Sequence, residues 1–130
     1  MEYVAATCAH DARAVTLVSH VLLGERAWFD RIDQRESDRA IWRPLTVEIQ
    51  RKMQRVHERR YEGLLAGDPD TRIEYQRFTG ERYISSIADI LRHLVTHGAH
   101  HRGQLAAHVS SHGVAPINTD FLRYCMEHGL

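Results

Sequence analysis

The sequence predicts an all-α fold: three long helices and a short tail helix, with one small β-hairpin set between helices. Three observations carry that expectation. Apolar residues recur at helical spacing over residues 4–32, 47–66 and 86–112. The one stretch that alternates instead, 71–84, is too short to stand as a sheet by itself. And 130 residues, 43% apolar and 26% charged, are enough for one hydrophobic core but not for two, so residues 1–130 are expected to form a single domain.

In the first helix, Val15, Val18, Val21, Leu22, Trp28, Phe29 and Ile32 recur on one face. Leu17, His20, Gly24 and Ala27 make a second, weaker one. A helix with two such faces suits the inside of a bundle. His20 lies on the weaker face, where periodicity alone leaves open whether it is a surface residue or a ligand. Glu25 falls near the centre of the stronger face. A buried carboxylate needs a partner, so Glu25 is expected either to hydrogen-bond a ligand histidine or to pair with an arginine.

Residues 33–44 are charged and aperiodic, which reads as a loop. Trp42 is expected to pack as a lid on the bundle end, with a ligand-facing role as the alternative. Pro44 holds the chain extended before the next helix. Thr46 is a suitable N-cap, and Ile49, Met53, Val56 and Leu64 are expected to be that helix's buried stripe. The run RKMQRVHERR, 51–60, is basic enough to suggest phosphate binding. Its cations alternate with Met53 and Val56, however, so it reads as the wet face of an amphipathic helix, with His57 on or beside it. Gly67, Asp68 and Pro69 end the helix. Ile73, Tyr75, Phe78, Tyr83 and Ile84 favour strand around a turn near Gly80.

The third long helix, IADILRHLVTHGAHHRGQLAAHVSS, opens on an acidic form of the capping box, Ser86 with Asp89, and closes at Gly113. It holds five of the ten histidines. At about 100° per residue, Leu94, Gly98 and Leu105 define its buried face. His101 lies about 40° from that centre, His97 about 80°, and His93 and His100 beyond 100°, toward solvent. His97 and His101, four residues apart, stack on one side of the helix, the spacing that lets two imidazoles share a metal ion. Two readings compete: solvated histidines on a polar face, or a metal site completed by a ligand from elsewhere. Gln104, about 20° from His97, is either a surface residue or a group that holds a ligand. Arg102 points away and is expected to form a salt bridge between helices. Residues 120–128 should be a tail helix that packs through Phe121, Leu122 and Cys125.

Composition excludes several classes. A formal net charge of zero argues against a generic nucleic-acid binder. No apolar stretch has the length of a membrane span. Cys8 and Cys125 make no disulfide framework, and the N-terminus has no signal-peptide pattern, so a cytoplasmic location is expected.

The stretch HLVTHGAHHRGQL, His93 to Leu105, closely resembles the signature of the DinB-like (YfiT-like) metal-binding helical proteins. SHVLLGERAWFDRI, from Ser19, is similar to that family's first histidine segment. GVAPINTDFLRY, from Gly113, is similar to its tail. The resemblance covers most of the chain from about Val15. It implies a four-helix bundle, usually a homodimer, with a divalent ion held by His20, His97 and His101. Zinc or nickel are the implied metals, with iron or manganese as alternatives; histidine nitrogens do not choose among them.

Three histidines leave one open coordination position, the catalytic pattern for zinc. With the family's known members, this implies a metal-dependent enzyme acting on a small molecule, by S-transfer with a low-molecular-weight thiol or by hydrolysis. No catalytic residue is assigned beyond the ligands. The alternative is a metal-binding stress or interaction protein without turnover. The chain departs from the family in having 19 residues ahead of His20, where a further helix is usual. The bundle is therefore expected to lack that helix and to cover its open side with a second copy, through the helix at 4–32.

Overall fold

The structure, a computed structural model, describes residues 9–129. Helix α1 spans Ala12–Ile32. The expected start near Val4 is corrected on the described residues: the Asp11 carboxylate accepts the backbone N–H groups of Arg13 and Ala14, both at 3.0 Å, and so caps the helix at Ala12. Residues 4–8 lie outside the described part. Asp11 also accepts a hydrogen bond from His108 Nε2 at 2.8 Å. The Ala14 N–H and then His108 hold its carboxyl below the usual range.

Helix α2, Val47–Leu65, is capped by Thr46 as expected. Its buried stripe is the expected one only in part: Leu64 packs on the core and Met53 is half-buried, but the other two expected positions are not. Ile49 is 44% and Val56 58% exposed, whereas Gln50 and His57 are buried. The reason is specific polar pairing. The Gln50 amide donates to Val15 O, Ser19 Oγ and Leu45 O at 3.1, 3.0 and 3.3 Å, and His57 Nδ1 lies 2.8 Å from Glu25 Oε2. Those partners rotate the helix so that Gln50, His57, Tyr61 and Leu64 face α1.

Strands β1 (Arg72–Gln76) and β2 (Arg82–Ser86) form the expected antiparallel hairpin, with Tyr75 opposite Tyr83. Gly80 turns it at φ +96°, a conformation that favours glycine. The hairpin runs straight into α3, Ile87–Ser111, because Ser86 ends β2 and caps the helix by accepting the Asp89 N–H. The Asp89 carboxylate completes the pair by accepting the Ser86 hydroxyl proton rather than its backbone N–H. Helix α4, Phe121–His128, is capped by Asp120. Its expected packing side is not packed: Phe121 is 72% and Leu122 70% exposed, and Cys125 is half-buried.

Helix α1 is central. Helices α2 and α3 both pack on it, and β1 covers its C-terminal part. The Asp11–His108 bond joins the start of α1 to the end of α3, so the two run antiparallel. Two apolar clusters lie along their interface: Ala14 and Val109 at one end, Phe29, Ile90 and Leu94 at the other. Burial of each large side chain contributes about 1.5–3 kcal/mol. Leu17, expected to need a second copy to cover it, is 4% exposed within the chain. Among the described residues no helix is long and apolar enough to cross a membrane.

Candidate metal centre

Between the two apolar clusters the α1–α3 interface is polar. His20 comes from the middle of α1, and His97 and His101 from successive turns of α3. One nitrogen of each lies within 4.8 Å of the others. The order expected along α3 is reproduced: His101 is 7% exposed, His97 is half-buried, and His93 and His100 face solvent; His20, which periodicity left open, is 4% exposed.

Each ring is held differently. His20 Nδ1 donates to the Ile41 carbonyl at 2.9 Å, which leaves Nε2 as a lone pair. That carbonyl belongs to the loop after α1, which is pinned to the helix where the Leu45 N–H donates to Ser19 Oγ at 2.9 Å and the Ser37 hydroxyl to Ala27 O at 3.0 Å. The same loop lays Trp42 flat on His20, with ring centroids 3.5 Å apart and planes 9° from parallel, and turns its indole toward His101. Trp42 therefore faces the site, the alternative to its expected place on the bundle end. It still leaves 54% of its surface in solvent.

His101 Nδ1 donates to Gln104 Oε1 at 2.8 Å, and the Gln104 amide donates onward to His100 Nε2 at 3.0 Å. Gln104 thus fixes the His101 tautomer and frees its Nε2, the holding role that the sequence left open. His97 Nε2 lies 3.2 Å from His20 Nε2. Because His20 Nδ1 carries the His20 proton, the proton between the two Nε2 atoms belongs to His97. Metal–nitrogen bonds of about 2.0–2.1 Å in a tetrahedron put two ligand nitrogens about 3.3 Å apart, so this pair is already at ligand spacing.

His97 fits because residue 24 is glycine. A Cβ there would lie 3.1 Å from His97 Cε1 and 3.7 Å from Nδ1. In the sequence Gly24 is one more residue of the weaker face of its helix; in the structure it is the space into which the His97 ring packs.

Electrostatics favour neutral rings. Burial drives the His97 pKa down to about 4, helped by the charges of His101, His20, His93 and His100. Burial also lowers that of His20, with His101 adding to the effect and the Ile41 hydrogen bond opposing it. Neutral imidazole is the form that binds a metal. Two buried rings with their outer nitrogens engaged and lone pairs turned inward, beside a third poised to join them, suit a divalent ion.

The other candidates separate from this site. His93 packs beside Trp28, with centroids 5.3 Å apart. His57, expected near the surface, is 5% exposed. Its partner Glu25 serves neither a ligand histidine nor an arginine; it holds His57 and Tyr61, whose hydroxyl is raised by burial and then by Glu25. Arg102, expected in a salt bridge, has no ion-pair partner among the described residues. Its guanidinium folds back over Gly98, where a Cβ would sit 3.0 Å from Nη1. Arg51, Arg55 and Arg59 are exposed, as the wet-face reading required.

A family model described as DinB family matches residues 9–128. No curated protein and no solved structure matches the chain.

Proposed function

The chain belongs to the DinB family, and from that premise we propose that it is a metal-dependent enzyme acting on a small molecule at His20, His97 and His101. The observation that carries this reading is the tautomer control. Ile41 O and Gln104 Oε1 occupy the outer nitrogens of His20 and His101, and the His97 ring is seated against Gly24. Zinc or nickel are the favoured ions, with iron or manganese as alternatives. When bound, such an ion supplies Lewis acidity at an open position, lowering the pKa of a thiol or a water there.

The chain's own residues do the rest. Trp42 shields the His20 face from bulk water. The Ile41 carbonyl stabilises charge on His20 through its N–H. Gln104 keeps His101 oriented. S-transfer from a low-molecular-weight thiol is favoured over hydrolysis because a thiol starts far closer to ionisation than water and needs less help to become a nucleophile on such an ion, while the neighbouring carboxylates that would assist a water are engaged. Asp89, which lines the same cavity as His20 and His97, is held by Ser86 and Arg92. Glu25, beside Gly24 in sequence, is held by His57 and Tyr61.

Turnover of 1-chloro-2,4-dinitrobenzene that requires both added thiol and metal, and is lost in His101→Ala, is the expected result. Stoichiometric metal binding with no such turnover, and none with ester substrates, would instead identify a metal-binding stress or interaction protein. A cytoplasmic homodimer completes the proposal. The exposed apolar side chains open to such an interface are Ile49 and Val56 on α2 and Phe121, Leu122 and Met126 on α4. A monomer at micromolar concentration by light scattering would overturn that part.

A further inference from the structure

Helices α2 and α3 both pack on α1 but not substantially on each other. The space between them is a groove of about 700 Å³, within the range of small-molecule sites. Its floor is the α1 face that carries Leu17, Val21 and Leu22, and its α3 wall adds Leu105 and Val109. The cations of the groove stand on opposite sides. Arg51 and Arg55, one turn apart, line it from α2, and Arg102 lines it from α3. No carboxylate lines the groove among the described residues, and none of the three guanidinium groups has an ion-pair partner there. His101 opens into the same groove.

Like charges that line one apolar groove repel unless an anion lies between them. Guanidinium groups bind carboxylate and sulfonate through paired N–H donors. We propose that this groove binds a small amphipathic anion, with its carboxylate or sulfonate between Arg51, Arg55 and Arg102 and its apolar body along Leu17, Val21 and Leu105. Such a molecule is the substrate class of the enzyme, and that assignment rests on the metal-site reading above; the binding itself does not. The groove explains two features that packing leaves unexplained. Arg102 makes no salt bridge although it neighbours a buried histidine, and the basic stretch of α2 turns two of its arginines onto an apolar surface.

Decanoate is the probe. Its binding is measured by titration calorimetry to metal-free and zinc-loaded protein, with decyltrimethylammonium as a cation of the same apolar length. One decanoate per chain is expected, bound about tenfold or more tightly than the cation. Charge-assisted hydrogen bonds of this kind are each worth roughly tenfold, so Arg102→Gln and the double variant Arg51→Gln/Arg55→Gln should each weaken decanoate by about that factor. All three arginines are exposed, so circular dichroism should be unchanged, and zinc affinity should be unchanged too. Equal binding of the two probes, or arginine variants that bind decanoate as the wild type does, would overturn the proposal. So would a stable dimer that binds no decanoate, which would assign the groove to a second copy. Zinc binding without decanoate binding defeats this inference alone. Arginine-dependent decanoate binding without zinc binding defeats the metal reading and leaves the groove standing.

Discussion

Replacing Gly24 by alanine separates the stability of the fold from the quality of its site. In a helix interior the change favours folding by about 1 kcal/mol through backbone propensity. Here the new Cβ would lie 3.1 Å from His97 Cε1, tighter than ordinary contact, so the imidazole must yield, and its Nε2 stands only 3.2 Å from His20 Nε2, where any shift alters the spacing of the two nitrogens. The ring is half-buried and stands at the end of a side chain, so a shift of a few tenths of an ångström costs the fold less than the propensity gain. The metal-free protein should therefore unfold at equal or slightly higher urea concentration, by roughly 0–1 kcal/mol. The site loses instead, because ligand nitrogens tolerate little displacement. Zinc affinity, measured by competition with a chromophoric chelator, should fall by about tenfold, or about 1.4 kcal/mol. Undiminished affinity together with raised stability would refute the reasoning, since it would mean that the His97 ring need not sit where Gly24 lets it. A loss of stability above about 2 kcal/mol would refute the claim that the ring is the part that yields.

Gln104→Leu removes the group that fixes the His101 tautomer. Zinc affinity should drop about 10- to 100-fold with little change in the unfolding midpoint; a variant that binds zinc as the wild type does would assign Gln104 to the surface. For the metal-free protein, the lowered pKa values of His97, about 4, and of His20 fix the sign of the pH dependence. The unfolded chain takes up protons near 6.5 and the folded one only further down, so stability is fully present above about pH 6.5 and is lost toward pH 4. The His97 part is at most about 3 kcal/mol, and a urea series should show a shallower decline in His97→Ala; identical slopes would contradict this. Glu25→Leu strands His57 and the Tyr61 hydroxyl in a buried interface. It should cost about 2–4 kcal/mol of stability while zinc affinity in the folded protein is unchanged; a coupled loss of affinity would show that Glu25 serves the metal site.

The third long helix was legible because its chemistry is local. Leu94, Gly98 and Leu105 set the buried face, and the four-residue step from His97 to His101 then put both rings on one side of it. His20 was not legible from periodicity, since a lone histidine on a weak apolar face has the same pattern whether wet or buried; the family resemblance singled it out. Helix α2 was misread for a related reason. Counting hydrophobicity favours Ile49 and Val56, but what turns the helix is Gln50, bonded to Ser19 and Val15, and His57, bonded to Glu25, partners 31 to 35 residues away. No local pattern encodes such pairs. The loop before α2 hid the most. Its backbone carbonyl at Ile41 carries no sequence signal, and Trp42 finds its place only because Ser19 and Gln50 anchor the chain on either side of Leu45. In α4, Phe121 and Leu122 have the spacing of a packed face but meet no partner within the described chain.

The most direct test of the central claim is metal content by elemental analysis, on protein purified without a metal-binding tag and saturated with zinc. The wild type and His93→Ala should each carry about one ion per chain, and His20→Ala, His97→Ala and His101→Ala should carry almost none. A metal-free wild type, or equal loss in all four variants, would contradict the account.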